Sequence, residues 1–252
     1  MSSLTDILFS EYSTHLAILV GIYLILAQSL NLTFGLGQLF NLAHVASYAI
    51  GAYATALLST EWQLSPLPCI CASVILSGAF SLALGAIALR LANDYFAIGT
   101  LAFGAIVSSL LINWRSLTHG VLGIPGIPRP ELFGLDLYDN RMFLAFLLVF
   151  VAAVQLLLFI ASRGPFGRSL RALAEYSEAA SALGINTRRV RNVAFLLSSS
   201  AAGLAGSFFA YYLNYIDPSS FSISEMVFLM TIVVVGRPGS FFGVMQIGRA
   251  HV

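Results

Sequence analysis

The 252-residue chain is 58% hydrophobic and only 9% charged, with a formal net charge of +1, where a soluble domain carries roughly a quarter charged residues. So little polar surface excludes a soluble enzyme and a disordered regulator, and the near-zero net charge leaves no basic patch for nucleic acid. All 12 basic residues are arginine, which excludes the phosphate-gripping lysine of a P-loop and a lysine Schiff base. The composition is that of an integral membrane protein, and any ATP that powers it is bound by another chain.

The segment 1–15 holds Asp6 and Glu11 but no basic residue, unlike the positive n-region of a signal peptide, so the first span is expected to be retained. No charged residue follows until Glu61, a stretch too long for one span of about 20 residues. It predicts spans at 16–34 and 41–58, broken at Gly35 and Gly37. Further spans are predicted at 67–89, 95–113, 142–162 and 192–214, with a short seventh at 224–236. The fold class is therefore all-α: a polytopic transmembrane bundle of about seven spans. Cys69 and Cys71 are two residues apart and fall on different helix faces, so they read as packing residues. The connection 114–141, with Gly123, Pro125, Gly126 and Pro128, predicts a shaped, non-helical loop over the membrane surface.

Arginine sets the orientation. Arg163, Arg168, Arg171, Arg188, Arg189 and Arg191 share the connection 163–191, and Arg90 and Arg237 fall on the same side. Only Arg115, Arg129 and Arg141 fall opposite. The arginine-rich side is expected in the cytoplasm and the N-terminus outside.

Connection 163–191 is long for a link between packed helices, and it looks structured. Pro165 suits a first helical turn, an amphipathic stretch follows over 166–183, Gly184 suits a left-handed C′ position, and Asn186 or Thr187 can cap the next helix. Leu170, Leu173, Ala180 and Leu183 share a face that Ser177 interrupts. Two readings stand: an interfacial helix drawn to anionic lipid, or a docking helix that transmits a partner's motion.

Polar residues inside spans ask for a reason. Gln28, Asn31, Gln38, Asn41 and His44 gather near the first break, either bonding between helices or lining a solute pathway. Ser222 to Glu225 reads as a capping box for the last span. Ser199, Gly203 and Ser207, with Ala202, Gly206 and Ala210, form rows that let another helix approach closely.

Glu178-Ala179-Ala180 followed by Gly184 matches the EAA-x-x-x-G signature of bacterial ABC importer permeases. Asn31-Leu32, Gly37-Gln38, Asn41-Leu42-Ala43-His44 and Gly51-Ala52-Tyr53 resemble the first block of branched-chain amino acid permeases of the LivM type. Leu89-Arg90-Leu91 with Asp94-Tyr95-Phe96 resembles the second, 118–128 the third and 217–221 the fourth. His119 departs from the family's usual glycine there. The resemblance implies a permease translocating branched-chain or similar small amino acids or neutral solutes, driven by ATP hydrolysis in partner ABC ATPase subunits. It implies a second permease subunit, a periplasmic binding protein and a place in the bacterial inner membrane. Glu178, Ala179, Ala180, Gly184 and Arg171 are then the ATPase-coupling residues, and Asn31, Gln38, Asn41 and His44 the candidate pathway. No cofactor or metal is expected in the chain. The family would continue with further helices, so 16–245 is read as the permease domain, truncated, and 246–252 as a translated sequencing adapter; Arg249 and His251 enter no argument. The alternative is an ion-coupled secondary transporter of a small neutral or zwitterionic solute, which would need an ionisable group at mid-membrane. An intramembrane enzyme ranks last, for want of paired catalytic residues on the spans.

Overall fold

The computed structural model describes residues 11–91, 93–132 and 135–247; Asp6, Arg249, His251 and the side chain of Asp94 lie outside the described residues. The long helices are α1 (Glu11–Leu30, continued as π-helical turns over Asn31–Leu36), α2 (His44–Thr60), α3 (Pro66–Ala88) and α4 (Asn93–Asn113). A four-residue α5 (Arg115–Thr118) precedes α6 (Asn140–Arg163), α7 (Pro165–Glu175), α8 (Ser177–Ala182), α9 (Thr187–Leu213), α10 (Ile223–Val235) and α11 (Phe241–Ile247). Every predicted span is helical. Five helices, α1 with its π-turns, α3, α4, α6 and α9, are long and apolar enough to cross a membrane. Helices α2 and α10 are shorter at 17 and 13 residues, about 26 and 20 Å at ~1.5 Å per residue against a hydrocarbon core of ~30 Å.

The core is α9 with α2 and α3 packed against it. Lipid tails are as apolar as leucine, so membrane helices associate through close packing and hydrogen bonds rather than hydrophobicity. The small-residue rows of α9 do this within the chain. A Cβ on Gly51 would lie 2.2 Å from the Gly203 carbonyl oxygen, one on Gly203 2.2 Å from Ser77 Oγ, and one on Gly206 2.2 Å from the Tyr48 carbonyl oxygen. Hydroxyls seal the same faces: Ser77 Oγ donates to the Ser47 carbonyl at 2.9 Å, and Thr55 and Ser207 share a hydrogen bond of 2.6 Å. Cys69 is buried, whereas Cys71 is exposed. Outward faces of α3, α4 and α6 carry exposed Ile75, Ile98, Ile106, Val149 and Ile160, as lipid-facing surfaces require.

The 114–141 connection departs from a wholly non-helical loop. After α5, a 3-10 turn over Gly120–Leu122 leads to β1 (Ile124–Pro125), which pairs antiparallel with β4 (Tyr215–Ile216); β2 (Glu131–Leu132) pairs with β3 (Leu135–Asp136). Thr118 Oγ1 donates to the Leu111 carbonyl at 2.7 Å, stabilising the helical turn at α5. His119 sits at φ +59°, the left-handed region that glycine occupies without cost. Arg129 donates to the Tyr138 carbonyl and Asn140 Oδ1, and Asn214 Nδ2 to the Ile127 carbonyl. The loop is thereby tied to the α9–α10 connection.

Candidate functional site

At the arginine-rich end the predicted single amphipathic helix is two. Its buried face runs Gly167, Leu170, Leu173 along α7 and resumes at Ala180 on α8. The polar Ser177 would hold the intervening place, and the backbone breaks at Tyr176 (φ −144°, ψ 87°). The corner between α6 and α7 is tight, since a Cβ on Gly167 would lie 2.0 Å from the Ser162 carbonyl oxygen. Helix α8 ends as predicted at Gly184, φ +86°. Ile185 N–H reaches the Ala180 carbonyl at 3.1 Å and Gly184 N–H the Ser181 carbonyl at 3.0 Å, the paired bonds of a Schellman motif. Asn186 caps α9, accepting from Arg189 N–H at 2.9 Å. Together α7 and α8 form an elbow fixed to the bundle at both ends.

The EAA residues divide by face. Glu178 and Ala179 are exposed, as are Tyr176 and Leu183 at 76% and 84%, while Ala180 is buried against the chain's own helices. Arg171 donates through Nη2 to the Ser162 carbonyl at 3.0 Å, bonding a free carbonyl at the end of α6, where a cation is favoured. The elbow also touches the first span: Leu170 Cδ1 lies 3.2 Å from where a Cβ on Gly37 would be.

The predicted polar cluster forms, and most of it bonds inward. Asn31 Oδ1 accepts from Gly239 N–H at 2.8 Å and its Nδ2 donates to the Ser240 carbonyl at 3.3 Å. Gln28 Nε2 donates to the Phe241 carbonyl at 2.6 Å. The π-turns of α1 are thus bonded to the turn between α10 and α11, and Gly35 is required there because a Cβ would lie 2.4 Å from Gly239 N. Asn41 Oδ1 accepts from Ala43 N–H at 3.2 Å, at the start of α2. His44 is fully buried, with Nε2 3.1 Å from Ser29 Oγ and Nδ1 3.5 Å from Ser198 Oγ. Those hydroxyls donate to the Leu26 and Ser29 carbonyls, so Ser29 Oγ is left to accept from His44 Nε2–H, and the ring is enclosed by the chain's own hydroxyls. Gln38 alone of the four lines a crevice, of 780 Å³, together with Phe34, Phe40, Phe96 and Pro238.

A second cavity, of 770 Å³, lies between α2, α4 and the start of α10. Its α2 wall is Leu42, Val45 and Ala46; its α4 wall includes Gly104, Ala105, Ser108, Ser109 and Asn113; Asp217, Ser219 and Ser222 stand near the head of α10. A helix-period stripe of small and hydroxylated residues on span four was the available sequence signal for this wall. Phe221 carries the chain into the bundle, its ring 5.1 Å from Tyr48 and 6.0 Å from Tyr53 and Phe209. Helix α10 therefore begins inside: Tyr48 lies 12 residues from the end of α2, about 18 Å at ~1.5 Å per residue.

The expected capping box does not form, as Ser222 makes no side-chain cap bond. Glu225 faces Tyr23 of α1 instead, and Glu225 Oε1 and the hydroxyl of buried Tyr48 have no hydrogen-bond partner among the described residues. Spacing could not reveal this approach, which brings together residues about two hundred positions apart. Outside the spans, Asp217 caps the 3-10 turn Pro218–Phe221. Partial burial pushes its carboxyl up, but hydrogen bonds from Ser219 and Ser220 outweigh that and hold it below the usual value.

Residues 12–249 match the family described as branched-chain amino acid transport system, permease component. The high-affinity branched-chain amino acid permease protein LivM of Escherichia coli is 38% identical over 94% of this chain and 61% of its own length. LivH of Salmonella typhimurium is 27% identical over 88% of the chain and 77% of its own, and a tyrosine transport permease of Clostridioides difficile 23% over 84% and 68%. The chain spans about three fifths of the length of the LivM protein it matches. With five helices long and apolar enough to cross a membrane among the described residues, the chain belongs to the branched-chain amino acid transport permease family.

Proposed function

We propose that the chain is a transmembrane subunit of an ABC importer of the cytoplasmic membrane, with residues 16–245 as its permease domain and 163–191 as its coupling loop. The N-terminus faces outside, and the buried α2 and the partly exposed α10 complete seven passes as short elements supported by their neighbours. Partner ATPase subunits bind and hydrolyse ATP, a second permease subunit completes the pathway, and a periplasmic binding protein delivers the solute. The relatives' cargoes, branched-chain amino acids and tyrosine, are zwitterions whose side chains are aliphatic or aromatic and carry no charge. The cavity between α2, α4 and α10 suits such a solute, with an apolar α2 wall and hydroxyls opposite it. Gln38 lines the other crevice, beside Phe34 and Phe96, as a further candidate for the pathway, while Asn31 and Asn41 bond backbone groups and His44 the Ser29 and Ser198 hydroxyls.

The observation that carries this reading is the elbow. It presents Glu178, Ala179, Tyr176 and Leu183 outward, is clamped by Arg171 and the Gly184 motif, and leans through Leu170 on Gly37. A push on α8 is thereby passed to the π-turns of α1 and, through Asn31, to the α10–α11 turn. The test is ATP-driven uptake by the assembled transporter carrying Glu178→Arg or Gly184→Val. Uptake should vanish while membrane insertion stays intact; unchanged uptake in both variants removes the elbow as the docking element.

One observation favours a second reading, an ion-coupled secondary transporter: Glu225 lies beside Tyr23 with its Oε1 buried and without a hydrogen-bond partner among the described residues. Uptake in vesicles that requires an imposed proton gradient, proceeds without ATP and is lost in Glu225→Gln would select it.

A further inference from the structure

The 770 Å³ cavity and the 780 Å³ crevice share α4 and the chain that enters α2. On α4 the crevice ends at Ala97 and Ile98, and the cavity begins at Leu101. On the entering chain the crevice ends at Phe40, and the cavity begins at Leu42. The residues that divide the two spaces are hydrogen-bonded to each other. Fully buried Thr100 donates through Oγ1 to the Phe40 carbonyl at 3.2 Å and accepts from Leu42 N–H at 3.1 Å. Thr100 lies about 10 Å along α4 from Asn93, at ~1.5 Å per residue. Irregular backbone at such depth is tolerated where protein covers it or where it lines a cavity.

This contact can part without orphaning the hydroxyl. The same Oγ1 reaches the Ala97 carbonyl of its own helix at 2.9 Å. A hydroxyl has one proton to give, and it keeps that acceptor when the Phe40 carbonyl withdraws. The two sides of the contact are held by different parts of the molecule. Phe40 packs edge-on against Phe34 of the π-turns, ring centroids 4.7 Å apart, whereas Phe96 holds α4 to Phe195 of α9 at 5.6 Å. Gly37, just before Phe40, is where Leu170 of the elbow leans. A shift of the elbow therefore reaches the Phe40 side and leaves Thr100 with α9.

Resting on the reading of the 770 Å³ cavity as the solute pathway, we propose that Thr100 is the gate residue between cavity and crevice. Its bonds to Phe40 and Leu42 close the pathway, and movement of the elbow parts them. The test is efflux of radiolabelled leucine, without ATP, from proteoliposomes of the assembled transporter. Wild type should hold its leucine. Thr100→Val, equal in shape but without the hydroxyl, should speed efflux roughly tenfold, about threefold for each bond lost, whereas Thr100→Ser should stay tight. Adding Gly104→Phe to Thr100→Val should stop the leak, because the flux crosses the cavity. Ser77→Ala, which removes a buried interhelical bond elsewhere, should not leak. A tight Thr100→Val, a leaking Thr100→Ser, an equal leak in Ser77→Ala, or a leak that survives Gly104→Phe would each overturn the gate. ATP-driven uptake by Gly104→Phe alone separates the two claims. Its loss beside a tight Thr100→Val sinks the gate and leaves the cavity, whereas unchanged uptake sinks the cavity and the gate with it.

Discussion

Helix α2 has two contrasting sides. Toward α9 and α3 it presents Ser47, Gly51 and Thr55, and the backbones meet so closely that a single added carbon at Gly51 would collide with Gly203. Toward α4 it presents Leu42, Val45 and Ala46 across a 770 Å³ cavity. There a Cβ on Gly104 would meet nothing nearer than the Leu42 carbonyl oxygen at 3.6 Å. Glycine is used for opposite ends on the two sides, on one to bring backbones together and on the other to leave space. One helix thus has a locked face and an open face, set by where its neighbours carry glycine.

The contrast is broken most severely at Gly203. Replacement by valine sets side-chain carbons against Ser77 and Ser73 and should cost about 3 kcal/mol, the upper range for overpacking, read as a fall in the yield of monodisperse protein and in the unfolding midpoint. On the open side, Gly104→Phe should leave the midpoint unchanged while reducing uptake by more than about tenfold, since pocket volume governs fit. Gly104→Ala should keep both, and parallel melting and uptake assays on the pair would show whether the cavity is the pathway.

Smaller changes sharpen the same comparison. Ser207→Ala removes the bond to Thr55 and should cost about 0.6 kcal/mol in equilibrium unfolding, the average for such bonds in membranes; Ser108→Ala on the cavity wall should cost nothing measurable. The smallest effect belongs to Asp217. Its carboxyl is held below its ordinary value, so the cap's stabilisation is complete above about pH 4 and drains away as pH falls through the folded pKa. Asp217→Asn should abolish that part of the acid sensitivity, visible as convergence of the two melting curves at low pH.

Much of the site was legible locally. Gly184 and Asn186 were readable because helix ends obey rules spanning a few residues, and both structures form where expected. Helix α7–α8 was legible as an amphipathic stretch but not as an elbow, because the break at Tyr176 follows from keeping Ala180 against the bundle. Arg171 looked like a surface charge on a docking face; its acceptor, the Ser162 carbonyl, becomes available only when α6 ends and the chain doubles back. The capping box at Ser222 fails where Glu225 faces Tyr23, a neighbour far away in sequence that local spacing cannot register.

The sequence by itself determined the membrane solvent, the helix positions and the arginine asymmetry, since composition and charge-free length follow from the cost of placing polar groups in hydrocarbon. It also determined the family, through motifs in fixed order. The tertiary structure decided which face of each helix is sealed and which stands open, that His44 is held by Ser29 and Ser198 rather than offered to a solute, and that α10 begins inside the bundle. Those outcomes depend on contacts between helices far apart in the chain, where one atom's clearance at Gly51 or Gly203 sets the approach and no local periodicity records it.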